Sequence, residues 1–282
     1  MRPVAFVRIL RPVNLLMLAL GVALGFWLAF APGGLTALGL LALAAAAAAG
    51  FGNVVNDIAD IATDRVSHPG RPLASGAMSK NAAIVYATVL AAASAAAAFA
   101  VSIPHGAGVV VPLCLLLAYA LFFKATPLAG NVLVSLLVAY GIVFGGLLGP
   151  GLHRLIAPAV LAFLLNLPRE IVKDIQDRQG DAAAGYVTSA ALPRRVLTAV
   201  IAVCGLLYAV LVTVPFLSRD FGMLYAAICL ATVVPLHVRW SLLFYKSDWE
   251  KSAARISSLI KYEMLCGLAA LALDEGMKWL IE

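Results

Sequence analysis

Residues 12–32, PVNLLMLALGVALGFWLAFAP, carry no charged side chain, and eight further apolar stretches follow in the 282-residue chain. At 1.5 Å rise per residue, about 20 apolar residues carry a helix across the hydrocarbon core of a bilayer, where backbone polar groups must bond to one another. The candidate spans are 12–32, 35–56, 81–103, 107–123, 131–150, 154–173, 196–217, 221–245 and 254–281. Turn-forming punctuation separates them, as at Pro32-Gly33-Gly34, Pro104-His105-Gly106 and Gly149-Pro150-Gly151. The pattern predicts an all-α polytopic membrane protein of nine transmembrane helices. Only 12% of the residues are charged, about half the usual share of a soluble domain. No small-x-small cleavage site follows the first run, so it is expected to be retained, and 1–282 to be one membrane domain.

Cations set the expected orientation, because Lys and Arg are retained in cytoplasmic loops. Of the twenty, only Arg154, Arg219 and Lys278 fall on one side; Arg2, Arg8 and Arg11 and the loops after the second, fourth, sixth and eighth spans hold the rest. The N-terminus is therefore expected in the cytoplasm, with all long loops, in the cell membrane. The net charge of +6 comes with no basic run, so nucleic acid is not expected as a partner, and no protein partner is required. Cys114, Cys204, Cys229 and Cys266 lack ligand spacing and read as packing residues. Trp27, Trp240, Trp249 and Trp279, near span ends, read as interface anchors.

Acid is concentrated in two places. NVVNDIADIATD (53–64) and REIVKDIQDRQGD (169–181) hold seven of the fourteen acidic residues. Asn53, Asp57, Asp60 and Asp64 are separated by 4, 3 and 4 residues, and so are Glu170, Asp174, Asp177 and Asp181. On a helix those steps confine four side chains to a stripe about 60° wide. Asn56 and Lys173 occupy the same slot beside their stripes. A carboxylate near hydrocarbon costs about 2.5–3.5 kcal/mol, so a cation is expected to meet each stripe. Sets of Asp, Asn and Glu oxygens suit Mg²⁺, which commonly completes its shell with water and substrate phosphate. Arg71, Lys124, Arg169 and Lys173 stand near the stripes and suit the same phosphate oxygens. A diphosphate pocket is the expected outcome.

These residues also resemble a known family. NDIADIATDRVSHPGRPLASG (56–76) is similar to the N-D-x-x-D-x-x-x-D-x-x-x-x-P-x-R-P-x-x-S-G signature of UbiA-type intramembrane prenyltransferases, and DIQDRQGD to their second aspartate motif. RPVN at 11–14, YALFFKATPLAGN at 119–131 and SAARISSLIKYEML at the start of the last span add to the likeness. The resemblance implies a nine-helix bundle around a central cavity open to lipid. It implies Mg²⁺-dependent transfer of a prenyl group from an allylic diphosphate to a lipid or aromatic acceptor, with diphosphate released. Asp57, Asp60, Asp174 and Asp177 would be the catalytic carboxylates; with Asn53, Asp64 and Asp181 they would hold the metal. Asn56, Arg71, Tyr119, Lys124, Arg169, Glu170 and Lys173 would bind substrate. REIVKDIQDRQGD is most similar to the branch that adds geranylgeranyl to geranylgeranylglyceryl phosphate, ahead of branches acting on quinone precursors or tetrapyrroles. Where that branch has basic residues after the Gly-Asp pair, this chain has Ala182 and Val187.

Two readings of other kinds compete. A divalent-cation transporter would also carry membrane acids, but here they sit at helix ends, beside spans that read as unbroken at mid-membrane. A CDP-alcohol phosphotransferase would gather its acids behind a D-G-x-x-A-R segment, which the chain lacks.

Overall fold

The computed structural model describes residues 3–246 and 248–281, and no β-strand occurs among them. The side chain of Trp279 lies outside the described residues. Each of the nine expected segments is helical. Helix α1 (Pro3–Leu10) leads into α2 (Pro12–Leu28), then α3 (Gly34–Ala59), the short α4 (Ile61–Ser67) and α5 (Lys80–Val101). Helix α6 (Ile103–Ala118) ends in a π-helical turn, Tyr119–Phe123. Beyond α7 (Ala129–Gly145) and the long α8 (Ile156–Ala183) come α9 (Arg194–Leu211) and the single turn α10 (Val214–Leu217). Helices α11 (Met223–Ile228) and α12 (Val234–Lys246) flank a second π-helical turn, Cys229–Val233, and α13 (Trp249–Ile281) closes the chain.

Among the described residues, seven helical segments are long and apolar enough to cross a membrane, and α1 with α2 makes an eighth if the bent pair is one span. The seventeen-residue α7 is apolar but shorter. The protein is therefore an integral membrane protein. Large side chains such as Leu35, Ile103 and Met223 point outward, as lipid-facing positions do.

The 49° bend between α1 and α2 falls at Arg11, the residue before Pro12. A proline disfavours the right-handed helical region for its predecessor, and Arg11 takes the left-handed conformation (φ 56°, ψ 65°) instead. Helices α2 and α7 meet through paired G-x-x-x-G motifs, Gly21/Gly25 and Gly141/Gly145. A methyl group on Gly25 would collide with the Ile142 carbonyl, and one on Gly145 with the Val22 carbonyl. The two backbones touch directly, the arrangement small residues allow in membranes.

Helix interruptions follow their own logic. Pro112, inside α6, has no N–H to give Gly108. The Tyr140 hydroxyl donates to that Gly108 carbonyl instead, at 2.9 Å. Pro168 also lies within α8, and both α6 and α8 run on through their prolines as single helices.

At the end of the bundle remote from the acidic segments, Arg154 makes a two-pronged pair with Glu275 (3.0 and 2.9 Å) and donates to the Leu28 carbonyl. Asp274 accepts the backbone N–H groups of Gly222 and Tyr225 at 2.8 and 3.0 Å, capping α11. Trp240 departs from its expected interface role: it is 1% exposed, and its indole donates to Glu263 at 2.5 Å. The reason is Glu263, fully buried, whose other oxygen pairs with His237.

Gly145→Ala is expected to cost about 1–3 kcal/mol by forcing the α2/α7 backbones apart. Gly39→Ala, with nothing near the added carbon, is expected to leave stability unchanged or slightly raised. Thermal unfolding in detergent checks this: equal melting temperatures for the two variants would refute the seam.

Candidate active site

The two acidic segments meet because α4 packs on α8 at Gly180. A Cβ there would strike the Ser67 hydroxyl and lie 2.8 Å from the Thr63 carbonyl. The glycine of DIQDRQGD thus lets the end of one acidic segment approach the other at backbone range.

The second segment behaves as its spacing predicts. Glu170, Asp174, Asp177 and Asp181 stay on continuous α8 and all line one central pocket of about 320 Å³. Asp174 Oδ2 accepts from Asn131 Nδ2 (3.0 Å) and the Ser189 N–H (3.2 Å), and Ser189 Oγ in turn donates to Asn131. Asp177 pairs with His68 Nε2 at 2.7 Å. Glu170 takes Arg169 (2.8 Å) and Lys173 (2.7 Å). Asp181 Oδ1 is buried without a hydrogen-bond partner among the described residues.

The first segment does not keep its stripe on one helix. Helix α3 stops at Ala59, and Asp60 takes the bridge conformation (φ −91°, ψ 8°) before α4 begins. Its carboxylate is drawn to Asn56 Nδ2 at 2.7 Å and to Lys124 Nζ. Asn53, Asn56 and Asp60 line the pocket. Asp57 and Asp64, each 1% exposed, lie behind it. Asp57 holds Arg11 (2.5 Å), while Arg71 bonds Asp64 (2.5 Å) and lies 3.8 Å from Asp57. Burial pushes the Asp64 carboxyl above its usual range, against the pull of Arg71. Asn53 donates to the Leu10 carbonyl at 2.8 Å, tying α3 to the bend before α2.

Tyr119 and Lys124 line the pocket from the π-helical end of α6, a geometry common at functional sites. Arg71, Arg169 and Lys173 line it as well. Six participants had escaped the spacing argument. Arg11 and Asn14 sit within RPVN, His68 within HPGRP, Asn131 within YALFFKATPLAGN and Lys261 within SAARISSLIKYEML, so the motifs contained them without marking their roles. Ser189 had no signal, since its bond to Asp174 depends on how the chain turns after α8.

The pocket changes character along its length. Past the charged end its walls are apolar, including Met17, Leu18, Val109, Leu137, Leu161 and Leu165. Among the described residues no three His, Cys, Asp or Glu side chains are grouped to hold a metal by themselves. Mg²⁺ is usually bound through one or two carboxylates plus phosphate. Hard oxygen donors on two sides of one pocket, with an unpartnered Asp181 oxygen, fit an ion that arrives with phosphate.

The UbiA prenyltransferase family matches residues 15–263. The chain belongs to that family and is a prenyltransferase. Among its relatives, the digeranylgeranylglyceryl phosphate synthase of Methanothermobacter thermautotrophicus is 32% identical over 96% of both chains. That of Methanopyrus kandleri is 35% identical over 94% of this chain and 97% of its own. A solved structure of a digeranylgeranylglyceryl phosphate synthase in membranes has the same fold, with TM-score 0.75 and 24% identity over 96% of this chain and 97% of that one. A UbiA homologue from Archaeoglobus fulgidus bound to GPP and Mg²⁺ matches with TM-score 0.63 and 21% identity over 95% of this chain and 99% of that one. A further structure of the A. fulgidus homologue holds Cd²⁺.

Gly180→Val is expected to push α4 off α8 and lower prenyl transfer about tenfold to a hundredfold, since displacements of about 1 Å at a reacting site cost that much. Circular dichroism should show the helices retained. Wild-type turnover in this variant would mean that the close approach does not position the site.

Proposed function

We propose that the protein transfers a geranylgeranyl group from geranylgeranyl diphosphate to the free hydroxyl of geranylgeranylglyceryl phosphate, with Mg²⁺ as its metal, releasing diphosphate. The observation that carries this reading is the meeting of two acidic segments of identical spacing over one pocket with apolar depths. The synthases named above support the acceptor, and the GPP and Mg²⁺ bound by the A. fulgidus homologue support the donor and the metal.

Mg²⁺ held with the diphosphate supplies charge neutralisation as the allylic C–O bond breaks. Asn53, Asp57 and Asp60 on one side and Asp174 and Asp177 on the other would hold the metal, with Asp64 and Asp181 completing the set. Asn131 and Ser189 fix the rotamer of Asp174, so its orientation is set before substrate binds. Arg71 and Lys124 take oxygens of the diphosphate, Arg169 and Lys173 bind substrate phosphate on the α8 side where Glu170 aligns them, and Tyr119 and Asn56 add hydrogen bonds. The apolar walls keep water from the allylic carbocation until the acceptor hydroxyl attacks and gives up its proton to the released diphosphate.

In the bilayer this reading has nine spans, the N-terminus and the acidic end facing the cytoplasm of the cell membrane, and one domain throughout. The placement of seventeen of twenty cations supports it. Labelling single introduced cysteines at each terminus with an impermeant thiol reagent in intact cells should modify the C-terminal one alone; labelling of the N-terminal one would invert the topology.

Purified protein supplied with Mg²⁺, geranylgeranyl diphosphate and a panel of glycerol-phosphate, aromatic and tetrapyrrole acceptors should give the digeranylgeranyl ether by mass spectrometry. Asp60→Asn and Asp174→Asn are each expected to cut turnover about a hundredfold or more, and chelation of the metal to stop it. A product formed only on an aromatic or tetrapyrrole acceptor would reassign the substrate, and near-normal turnover in either variant would remove the carboxylates from the metal site.

A further inference from the structure

The cations around the pocket fall into two groups with different charge balance. Arg11, Arg71 and Lys124 are each paired with a carboxylate of the first acidic segment. Arg169 and Lys173 on α8 share one carboxylate, Glu170. Lys261, on α13, lines the same pocket and pairs with no carboxylate among the described residues; its ammonium donates to the neutral amide oxygen of Asn14 at 2.6 Å. Arg169, Arg11 and Lys173, all of its own sign, act on Lys261. Arg169 also keeps a buried Nε without a partner. Three cations thus share one directly paired carboxylate, Glu170, in a partly desolvated place where unbalanced charge is costly, with Asp174 and Asp177 acted on by Lys173 without a direct ion pair to it.

We propose that Lys261, Arg169 and Lys173, with Asn14, form a second anion site that takes the phosphate monoester of the lipid acceptor, separate from the carboxylate-balanced site that takes the diphosphate. This rests on the acceptor assigned above. A phosphate monoester brings up to two negative charges, which matches the excess of three cations over Glu170. Below Lys261, α13 lines the pocket with Met264, Gly267, Leu268 and Leu271; Met264, Leu268 and Leu271 follow Lys261 in steps of 3, 4 and 3 that keep them on its face. A polar head at Lys261 would therefore sit above an apolar track, the shape of a lipid phosphate rather than of free phosphate.

The test compares wild type, Lys261→Met and Lys261→Arg in nanodiscs, with Mg²⁺ and geranylgeranyl diphosphate. Lys261→Met should raise the acceptor KM about tenfold or more, as the loss of a charge-assisted hydrogen bond would, and leave the donor KM unchanged; Lys261→Arg should restore much of the acceptor affinity. A parallel binding arm uses thermal stabilisation by a dialkylglycerol phosphate, by the dialkylglycerol without phosphate, and by inorganic phosphate. Stabilisation of wild type by the phosphorylated lipid alone, lost in Lys261→Met, supports the site; stabilisation by inorganic phosphate to the same extent overturns its lipid character. A rise in donor KM with the acceptor KM unmoved, or equal binding by wild type and Lys261→Met, overturns the assignment. If wild type binds the phosphorylated lipid through Lys261 but prenylates only an aromatic acceptor, the acceptor reading fails while the anion site stands.

Discussion

A carboxylate taken out of water needs a partner of opposite sign, and the polar end of this bundle is organised around that requirement. Asp57, Asp60 and Asp64 are met by Arg11, Lys124 and Arg71, and Asp177 is hydrogen-bonded to His68. The partners come from distant parts of the chain: Arg11 from the bend before α2, Lys124 from the end of α6, and His68 and Arg71 from the turn after α4. The ion pairs therefore do more than neutralise charge. They draw the first, second and fourth long helices and the following connections onto one pocket, and each pair fixes where a loop can lie. Such buried pairs add little net stability compared with apolar packing; their value here is in placing oxygen and nitrogen atoms that a diphosphate can use.

Much of this was legible in the amino-acid order. The apolar runs located every long helix, because their length and lack of charge leave few alternatives in a bilayer. The repeated spacing found the acids and, for Glu170 through Asp181, their common face, since α8 continues as a regular helix through all four. The same spacing misled at Asp60. Helical periodicity assumes one unbroken helix, and the turn there is set by contacts with Asn56 and Lys124 that no local pattern encodes. Lys261 was hidden for a related reason. A lone lysine near a span end reads as a topology signal, and only the proximity of α13 to α8 turns it into part of a cation cluster.

The helix breaks show another limit. Pro112 and Pro168 were visible as residues, yet their effect depends on what repairs the lost hydrogen bond. For Pro112 it is Tyr140, a residue 28 positions later on another helix. The π-helical turn at Tyr119–Phe123 carries no proline at all, and it ends where Lys124 must reach Asp60. Helices α6 and α8 continue through their prolines, and membership of the prenyltransferase family carries the decision against a transporter.

The glycine seam between α2 and α7 has a mechanical consequence. Where two backbones touch, no side chain is left to rotate or compress, so that wall of the pocket is stiff. Helix α13 lines the pocket beside α2, to which Lys261 bonds through Asn14, and presents long and flexible side chains such as Met264. Any swelling needed to admit a second isoprenoid chain must therefore be taken up by side chains outside the seam, as a padded liner gives way inside a rigid frame. The Arg154–Glu275 pair holds α13 at its far end and the Lys261–Asn14 bond holds it at the polar end, so what gives between those two ties is the side chains and not the helix.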